Sequence, residues 1–195
     1  MIITEKTLTL DSLFGFPKVE GKIIPNNLSD ITNNIISRRE EIFPGCTTTE
    51  NYDFVKNDWH GYHSYMCMEK FPELKFLFPI IAESLELLGD SYKEYYFKSW
   101  VNMWPKKQSI NAHRHYGQWH GYYVIRDTGT TTCYADSDDR ETRQIVPLTN
   151  YDGRFVMLPA HVLHWAKKNP VNEWRVSMGF NLSTVGSSTD RRKRQ

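Results

Sequence analysis

From residue 94 to residue 183 the chain is a series of short runs that suit β-strands and little else. Glu94–Trp104 (EYYFKSWVNMW), Trp119–Arg126 (WHGYYVIR), Thr130–Asp136 (TTTCYAD), Arg154–Leu158 (RFVML) and Val176–Ser183 (VSMGFNLS) are aromatic or β-branched. Gly117, Asp127-Thr128-Gly129, Asp152-Gly153 and Asn169-Pro170 separate them with turn chemistry. Many short strands cut by turns imply a sandwich or barrel. The expected fold is therefore α+β and mainly β, with N-terminal helices packed on one sheet.

The first half reads differently. Asn27-Leu28-Ser29-Asp30 can cap a helix through Ile31, Ile35 and Ile36 that stops near Pro44-Gly45. A second helix is predicted from Phe71-Pro72, with Leu74, Leu77, Phe78, Ile81, Leu85 and Leu88 on its apolar face and Gly89 at its end. Pro79 falls inside this pattern and predicts a kink or break. The chain is expected to form one domain over 1–195. Residues 1–92 would be a mixed helical elaboration, 93–184 the β core, and 185–195 a disordered basic tail. The run Arg191-Arg192-Lys193-Arg194 in that tail reads as a solvated end rather than a nucleic-acid arm.

Composition narrows the classes of function. The net charge of +1 gives no electrostatic reason to expect nucleic acid or an acidic membrane surface as partner. Cys46, Cys67 and Cys133 are odd in number and widely spaced, so a disulfide framework is not expected and a reducing compartment is. MIITEKTLTLDSLFGF contains no long apolar stretch, and no run reaches membrane-spanning length. The expectation is a cytoplasmic protein.

Histidine carries the chemistry. His113, His115, His120, His161 and His164 all lie in the strand-rich half. His113-Arg114-His115 is H-x-H, and residues two apart on a strand point the same way, so both imidazoles can reach one ion from one side. A third ligand from a distant strand would complete a facial set and leave positions open for substrate. His164 is the natural third. The blander readings are that H-x-H arises by chance and that His161 and His164 share one turn. His120 would then stack among Tyr116, Trp119 and Tyr122, and His60 and His63 would be structural.

Across residues 94–183 the sequence resembles the double-stranded β-helix (jelly roll) of the 2-oxoglutarate/Fe(II)-dependent oxygenases, especially uncharacterised bacterial and phage members. The likeness rests on Trp100-Val101-Asn102, His113-Arg114-His115, Gly121-Tyr122-Tyr123, Pro159-Ala160-His161-Val162-Leu163-His164, Arg175-Val176-Ser177 and Phe180-Asn181, in that order. Asp58–Ser64 and the helix from Phe71 match it more loosely. The resemblance implies Fe(II) held by His113 and His164, with 2-oxoglutarate as cosubstrate and dioxygen as co-reactant. Arg175, eleven residues after His164, matches the arginine that clamps the distal carboxylate, a task suited to the paired donors of a guanidinium. Its alternative is a salt bridge with Glu173. Ser177, Tyr123 and Asn102 are implied as further 2-oxoglutarate contacts. Most members carry H-x-D or H-x-E, whereas this chain has His115 at that position. Either three histidines hold the metal, or a carboxylate such as Asp136, Asp138 or Asp139 serves, in an acidic cluster expected in a loop.

Cupins, which share the jelly roll, are the second likeness. His113, His115 and His120 fit their first motif with histidine in place of glutamate. Gly153, Pro159 and His164 fit their second, with His161 where glycine is expected. That resemblance implies a 2-oxoglutarate-independent dioxygenase on the same three histidines. A third reading is a non-catalytic jelly-roll module that binds carbohydrate or serves in a virion, with Trp59, Trp104, Trp119 and Trp165 stacking on a ligand. The substrate is not named by any segment.

Overall fold

The structure, a computed structural model, describes residues 1–39, 62–65, 67–91 and 94–184, leaving aside the side chains of 62–65 and 67. Two antiparallel sheets face one another. The larger has seven strands in the order β1-β2-β9-β6-β11-β4-β3, and the smaller has four in the order β5-β10-β7-β8. The strands are β1 (Ile3–Leu13), β2 (Phe16–Pro25), β3 (Tyr62–Tyr65), β4 (Tyr95–Trp104), β5 (Ile110–His113) and β6 (Trp119–Arg126). Then come β7 (Thr131–Ala135), β8 (Ile145–Thr149), β9 (Arg154–Pro159), β10 (Leu163–Ala166) and β11 (Arg175–Thr184). Chain-distant strands are neighbours in both sheets, as a jelly roll requires.

The expected strands form, with ends shifted by a residue or so. The long hairpin β1–β2 was not foreseen. β1 mixes threonines and charged residues with the isolated Leu8 and Leu10 and is mostly exposed, so no apolar run marks it. Phe14-Gly15, both at positive φ, turn the chain back. Inside the larger sheet β2 continues against β9, with Val19 opposite Met157 and Gly21 opposite Phe155. A side chain at Gly21 would strike the Thr7 carbonyl, so the close approach of β1 depends on that glycine.

Among the described residues the helices lie in the first half. They are α1 (Leu28–Ser37), α2 (Cys67–Lys70), a 3-10 turn over Pro72–Phe76, and α3 (Leu77–Leu87). The single helix expected from Phe71 is broken, two residues before Pro79. The chain changes from 3-10 to α winding at Leu77, which places Pro79 in the first turn of α3, where its missing N–H has no intrahelical partner to lose. The first helix ends at Ser37, with Arg38 as its C-cap, short of the expected end near Pro44-Gly45, and the tail 185–195, Trp59 and His60 lie outside the described residues. No described helix is long and apolar enough to cross a membrane.

The two faces of the larger sheet differ in kind. The helix-covered face packs Val19, Ile23, Val101, Met103, Tyr123, Ile125, Phe155, Met157, Val176, Met178, Phe180 and Leu182 against Ile31, Ile35, Phe71, Leu74, Leu77 and Ile81. The other face looks toward the small sheet. Only part of the space there is apolar, filled by Leu13, Tyr122, Val124, Tyr134, Val156, Leu158 and Val162. Alternation along β11 sets this division. Val176, Met178, Phe180 and Leu182 go to the helices, and Arg175, Ser177, Gly179 and Asn181 go to the inside.

Candidate metal centre

β10 runs antiparallel to β5 with His164 directly opposite His113, which brings together two residues fifty-one apart in sequence. Their ring centroids are 4.5 Å apart. β5 ends at His113, so His115 lies just past the strand instead of on it, and the expectation of one strand face carrying both is corrected here. The His115 N–H donates to the Ala160 carbonyl at 2.9 Å, and this bond turns the ring back to its neighbours. One ligand atom from each of His113, His115 and His164 lies within 4.8 Å of the others. The Nε2 atoms of His113 and His115 are 3.2 Å apart. Two imidazoles on one ion with bonds of about 2.1 Å at right angles stand roughly 3 Å apart, so this pair has the required spacing.

Two of the rings are set for ligation by the backbone. His113 Nδ1 lies 2.8 Å from the Asn111 carbonyl oxygen, and His164 Nδ1 lies 3.0 Å from that of Val162. A carbonyl only accepts, so each ring carries its proton on Nδ1 and offers Nε2 as a lone pair. Burial holds His113 below the ordinary histidine pKa, against the pull of Asn111. His164 lies well below it through burial and then through His120 and His113, with Val162 opposing. Neutral imidazole is the form a metal takes.

His120, whose role the sequence left open, belongs to this cluster. It is buried on the inner face of β6 and stacks on His115 at 3.7 Å and 12°, and on His164 at 4.8 Å. His120 is not among the three rings whose ligand atoms converge; it lies face to face with His115, while His115 and His164 are themselves near-parallel, 5.1 Å apart at 21°. Trp100 continues the stack, 5.3 Å from His115 and 6.0 Å from His120. It fits because Gly179 carries no Cβ; one there would sit 2.6 Å from the indole. Burial, then His115, pushes the His120 pKa well down, with Asn181 opposing. His161 is at the surface against Phe16 and takes no part.

The carboxylates considered as alternatives stand elsewhere. Asp136 is exposed and accepts the Gln144 N–H, Asp138 pairs with Arg114, and Asp139 caps the turn at Glu141 and Thr142. Among the described residues no carboxylate joins the three histidines. The donor set is therefore three neutral imidazoles, which suits a first-row divalent ion and leaves its charge uncompensated.

Arg175 lies at the other end of the inner face of β11. It is only 3% exposed, stacks over the Trp104 ring at 4.8 Å, and donates from Nε to Thr130 Oγ1 (2.9 Å) and from Nη1 to Ser177 Oγ (3.2 Å). Thr130 in turn donates to Asp127 Oδ1 at 2.7 Å. Glu173, the alternative partner, pairs with Arg126. Among the described residues no carboxylate forms an ion pair with Arg175. Burial lowers its pKa from the ordinary value, with Tyr122 and Asp127 opposing, and a guanidinium keeps its charge regardless. The Tyr134 hydroxyl, close to that of Tyr122, is wholly buried and meets no partner in hydrogen-bonding geometry. A buried cation with no carboxylate ion pair among the described residues is suited to an anion.

Of the other implied contacts, Asn102 and Ser177 are paired across β4 and β11 and are both buried on the inner face. Tyr123 is a correction. It points to the helices, donates to the Ile23 carbonyl at 2.8 Å and packs on Phe76. Its neighbour Tyr122 takes the inner position, with its hydroxyl donating to Asn150 Oδ1 at 3.3 Å. Asn150 also donates to Thr130 and Thr132, so Tyr122, Asn150 and Thr130 form one network around Arg175.

No family model matches the chain, and no curated protein does. Solved structures do match. A non-haem α-ketoglutarate-dependent carbocyclase, SnoK from nogalamycin biosynthesis, superposes with a TM-score of 0.62 at 14% identity, over 90% of this chain and 85% of that one. The epimerase SnoN, solved in complex with Fe3+, α-ketoglutarate and nogalamycin RO, gives 0.59 at 13% identity, over 85% and 78%. An oxidoreductase of the 2OG-Fe(II) oxygenase family from Burkholderia pseudomallei gives 0.50 at 13%, over 80% and 89%. The chain thus has the double-stranded β-helix fold of the 2-oxoglutarate-dependent non-haem oxygenases.

Proposed function

We propose that this protein is a dioxygenase that binds Fe(II) through His113, His115 and His164 and uses 2-oxoglutarate as cosubstrate. The observation that carries the reading is Arg175. A guanidinium buried without a carboxylate partner is costly unless an anion completes it, and it lies on the inner face of the large sheet, the face that also carries His120 and looks toward the small sheet with His113 and His164. The distal carboxylate of 2-oxoglutarate would take the paired donors of Arg175, with Ser177, Thr130 and Tyr122 around it. The 2-oxo acid end would face the metal, and the dianion would offset the ion's charge, which three imidazoles do not. The bound ion with 2-oxoglutarate and dioxygen supplies the oxidising equivalents for a C–H bond, releasing succinate and carbon dioxide. The chain's own part is to orient the cosubstrate, exclude water and hold the ligand tautomers. The likeness to SnoK and SnoN supports the fold of this reading, and their substrates are their own.

A second reading draws on the same centre. Three imidazoles without a carboxylate also suit a cupin-type dioxygenase that needs no 2-oxoglutarate, and His120 stands where the cupin pattern has its fourth metal-site residue. The two differ in what Arg175 does. Purified protein given Fe(II), ascorbate, dioxygen and labelled 2-oxoglutarate should release slow, uncoupled succinate that disappears in Arg175→Met. Fe(II) uptake with no succinate, and no protection of Arg175 by 2-oxoglutarate, would favour the cupin reading.

A further inference from the structure

The buried guanidinium of Arg175 is held on two sides and left open on a third. Trp104 fixes its plane from 4.8 Å. Two donated bonds fix its rotation in that plane, Nε to Thr130 Oγ1 at 2.9 Å and Nη1 to Ser177 Oγ at 3.2 Å. Nη2 meets no partner among the described residues. With Nε committed, the paired donors that remain are those of Nη1 and Nη2, so a carboxylate has to meet the guanidinium end-on.

Thr130 can accept from Nε because every other feature of its hydroxyl is decided. It follows the turn Asp127-Thr128-Gly129 between β6 and β7, where Gly129 takes a φ of 78°. The Asp127 carboxylate caps this turn, accepting the Gly129 N–H at 2.9 Å and the Thr130 N–H at 3.2 Å. The Asp127 N–H is bonded to Asp152 Oδ1 at 2.6 Å, which anchors the turn to the connection between β8 and β9. Asp127 Oδ1 also accepts the Thr130 hydroxyl proton at 2.7 Å. The two lone pairs of that hydroxyl then face Arg175 Nε–H and the Asn150 amide, which donates at 3.0 Å. The hydroxyl is saturated and Thr130 is only 1% exposed, so it has no bond left for a ligand and acts through Arg175.

We propose that Asp127 and Thr130 are positioning residues of the anion site. Asp127 turns the Thr130 hydroxyl, and Thr130 holds Arg175 with its Nη edge toward a carboxylate. The inference rests on the reading of Arg175 as the anchor of the distal carboxylate of 2-oxoglutarate, and it adds two residues that never touch that carboxylate. The arrangement keeps a carboxylate one hydroxyl away from the buried cation without filling the donors a ligand needs. A direct Asp–Arg pair would close the site, and a guanidinium with no fixed acceptor at Nε would have to be ordered by the ligand itself.

The test compares two 2-oxo acids by calorimetry on the Zn(II)-loaded full chain. 2-Oxoglutarate and 2-oxobutyrate can chelate a metal in the same way, and only the first has a distal carboxylate. Thr130→Val keeps the shape and loses the hydroxyl, and it should weaken 2-oxoglutarate about 10-fold while leaving 2-oxobutyrate unchanged. Thr130→Ser should restore the parental affinity. Asp127→Ala frees the hydroxyl to turn its proton toward Arg175 and should act in the same sense, again sparing 2-oxobutyrate. If Thr130→Val does not fold, Asp127→Ala decides alone. In an Arg175→Met background neither change should add anything. Parental 2-oxoglutarate affinity in these variants, or an equal loss for both acids, overturns the proposal and leaves the reading of Arg175 standing. A parent protein that binds both acids equally, or neither, fails that reading, and this inference fails with it.

Discussion

The two faces of the seven-stranded sheet are built from the same strands and obey opposite rules. Toward the helices, β4, β6, β9 and β11 present an apolar layer whose polar contacts are few, among them Trp119 Nε1–H donating to Asp90 at 2.8 Å. Toward the small sheet the next residue along each strand presents Trp100, Asn102, His120, Tyr122, Arg175, Ser177 or Asn181. The first face contributes the stability. The second contains a buried cation, a buried unpaired hydroxyl and a stack of imidazoles, each of which costs folding free energy. A strand that alternates between the two can place chemistry in a dry interior because its other side is anchored.

Mutations of two residues on β11, one on each face, test that division most sharply. Phe180→Ala, on the helix face, should cost about 3–5 kcal/mol of stability by urea unfolding, since it empties a fully buried ring site. Arg175→Met, on the inner face, should do the reverse to the apo-protein. Removing an unpaired buried charge should leave stability equal or raised. The same change should weaken 2-oxoglutarate binding by about 2–5 kcal/mol, read by calorimetry on the metal-loaded protein. A large loss of stability in Arg175→Met would mean that the inner face is structural too.

Tyr122 and Tyr123 make a finer comparison within one strand. Tyr123→Phe should cost about 1 kcal/mol of stability by freeing the Ile23 carbonyl, with no change in 2-oxoglutarate affinity. Tyr122→Phe should leave unfolding nearly unchanged and lower 2-oxoglutarate affinity several-fold.

The smallest effect is in pH. His113, His120 and His164 are held below the ordinary histidine value of 6.5, so the unfolded chain protonates first as pH falls. Their contribution to stability is complete above that value and declines as pH drops below it. Urea midpoints of the apo-protein should therefore fall between about pH 7 and about pH 5, and replacing His120 with Phe should flatten the profile.

The sequence made much of this legible, and the gaps have physical causes. The five strand segments were readable because their aromatic and β-branched residues, set between turn residues, allow little else. β5, β8 and β10 are only four or five residues long and lack a period to read, although β5 and β10 hold His113 and His164. The mistaken choice of Tyr123 follows from β6 being buried on both faces from Trp119 to Ile125, so hydrophobicity cannot tell one side from the other. The parity was nevertheless available. If His120 belongs to the histidine cluster, Tyr122 shares its side and Tyr123 does not. The contact of Asn181 with His120 could not be read, because it depends on β11 lying in register beside β6 with Asn181 opposite His120.

The most direct test of the account is an anaerobic titration of the apo-protein with Fe(II) and then 2-oxoglutarate, following the visible charge-transfer band of the metal–2-oxo acid chelate. The account predicts a band that saturates with 2-oxoglutarate, fails to form in His164→Ala, and requires far more 2-oxoglutarate in Arg175→Met. Fe(II) uptake with no band in the parent protein, or a band indifferent to Arg175, would contradict it.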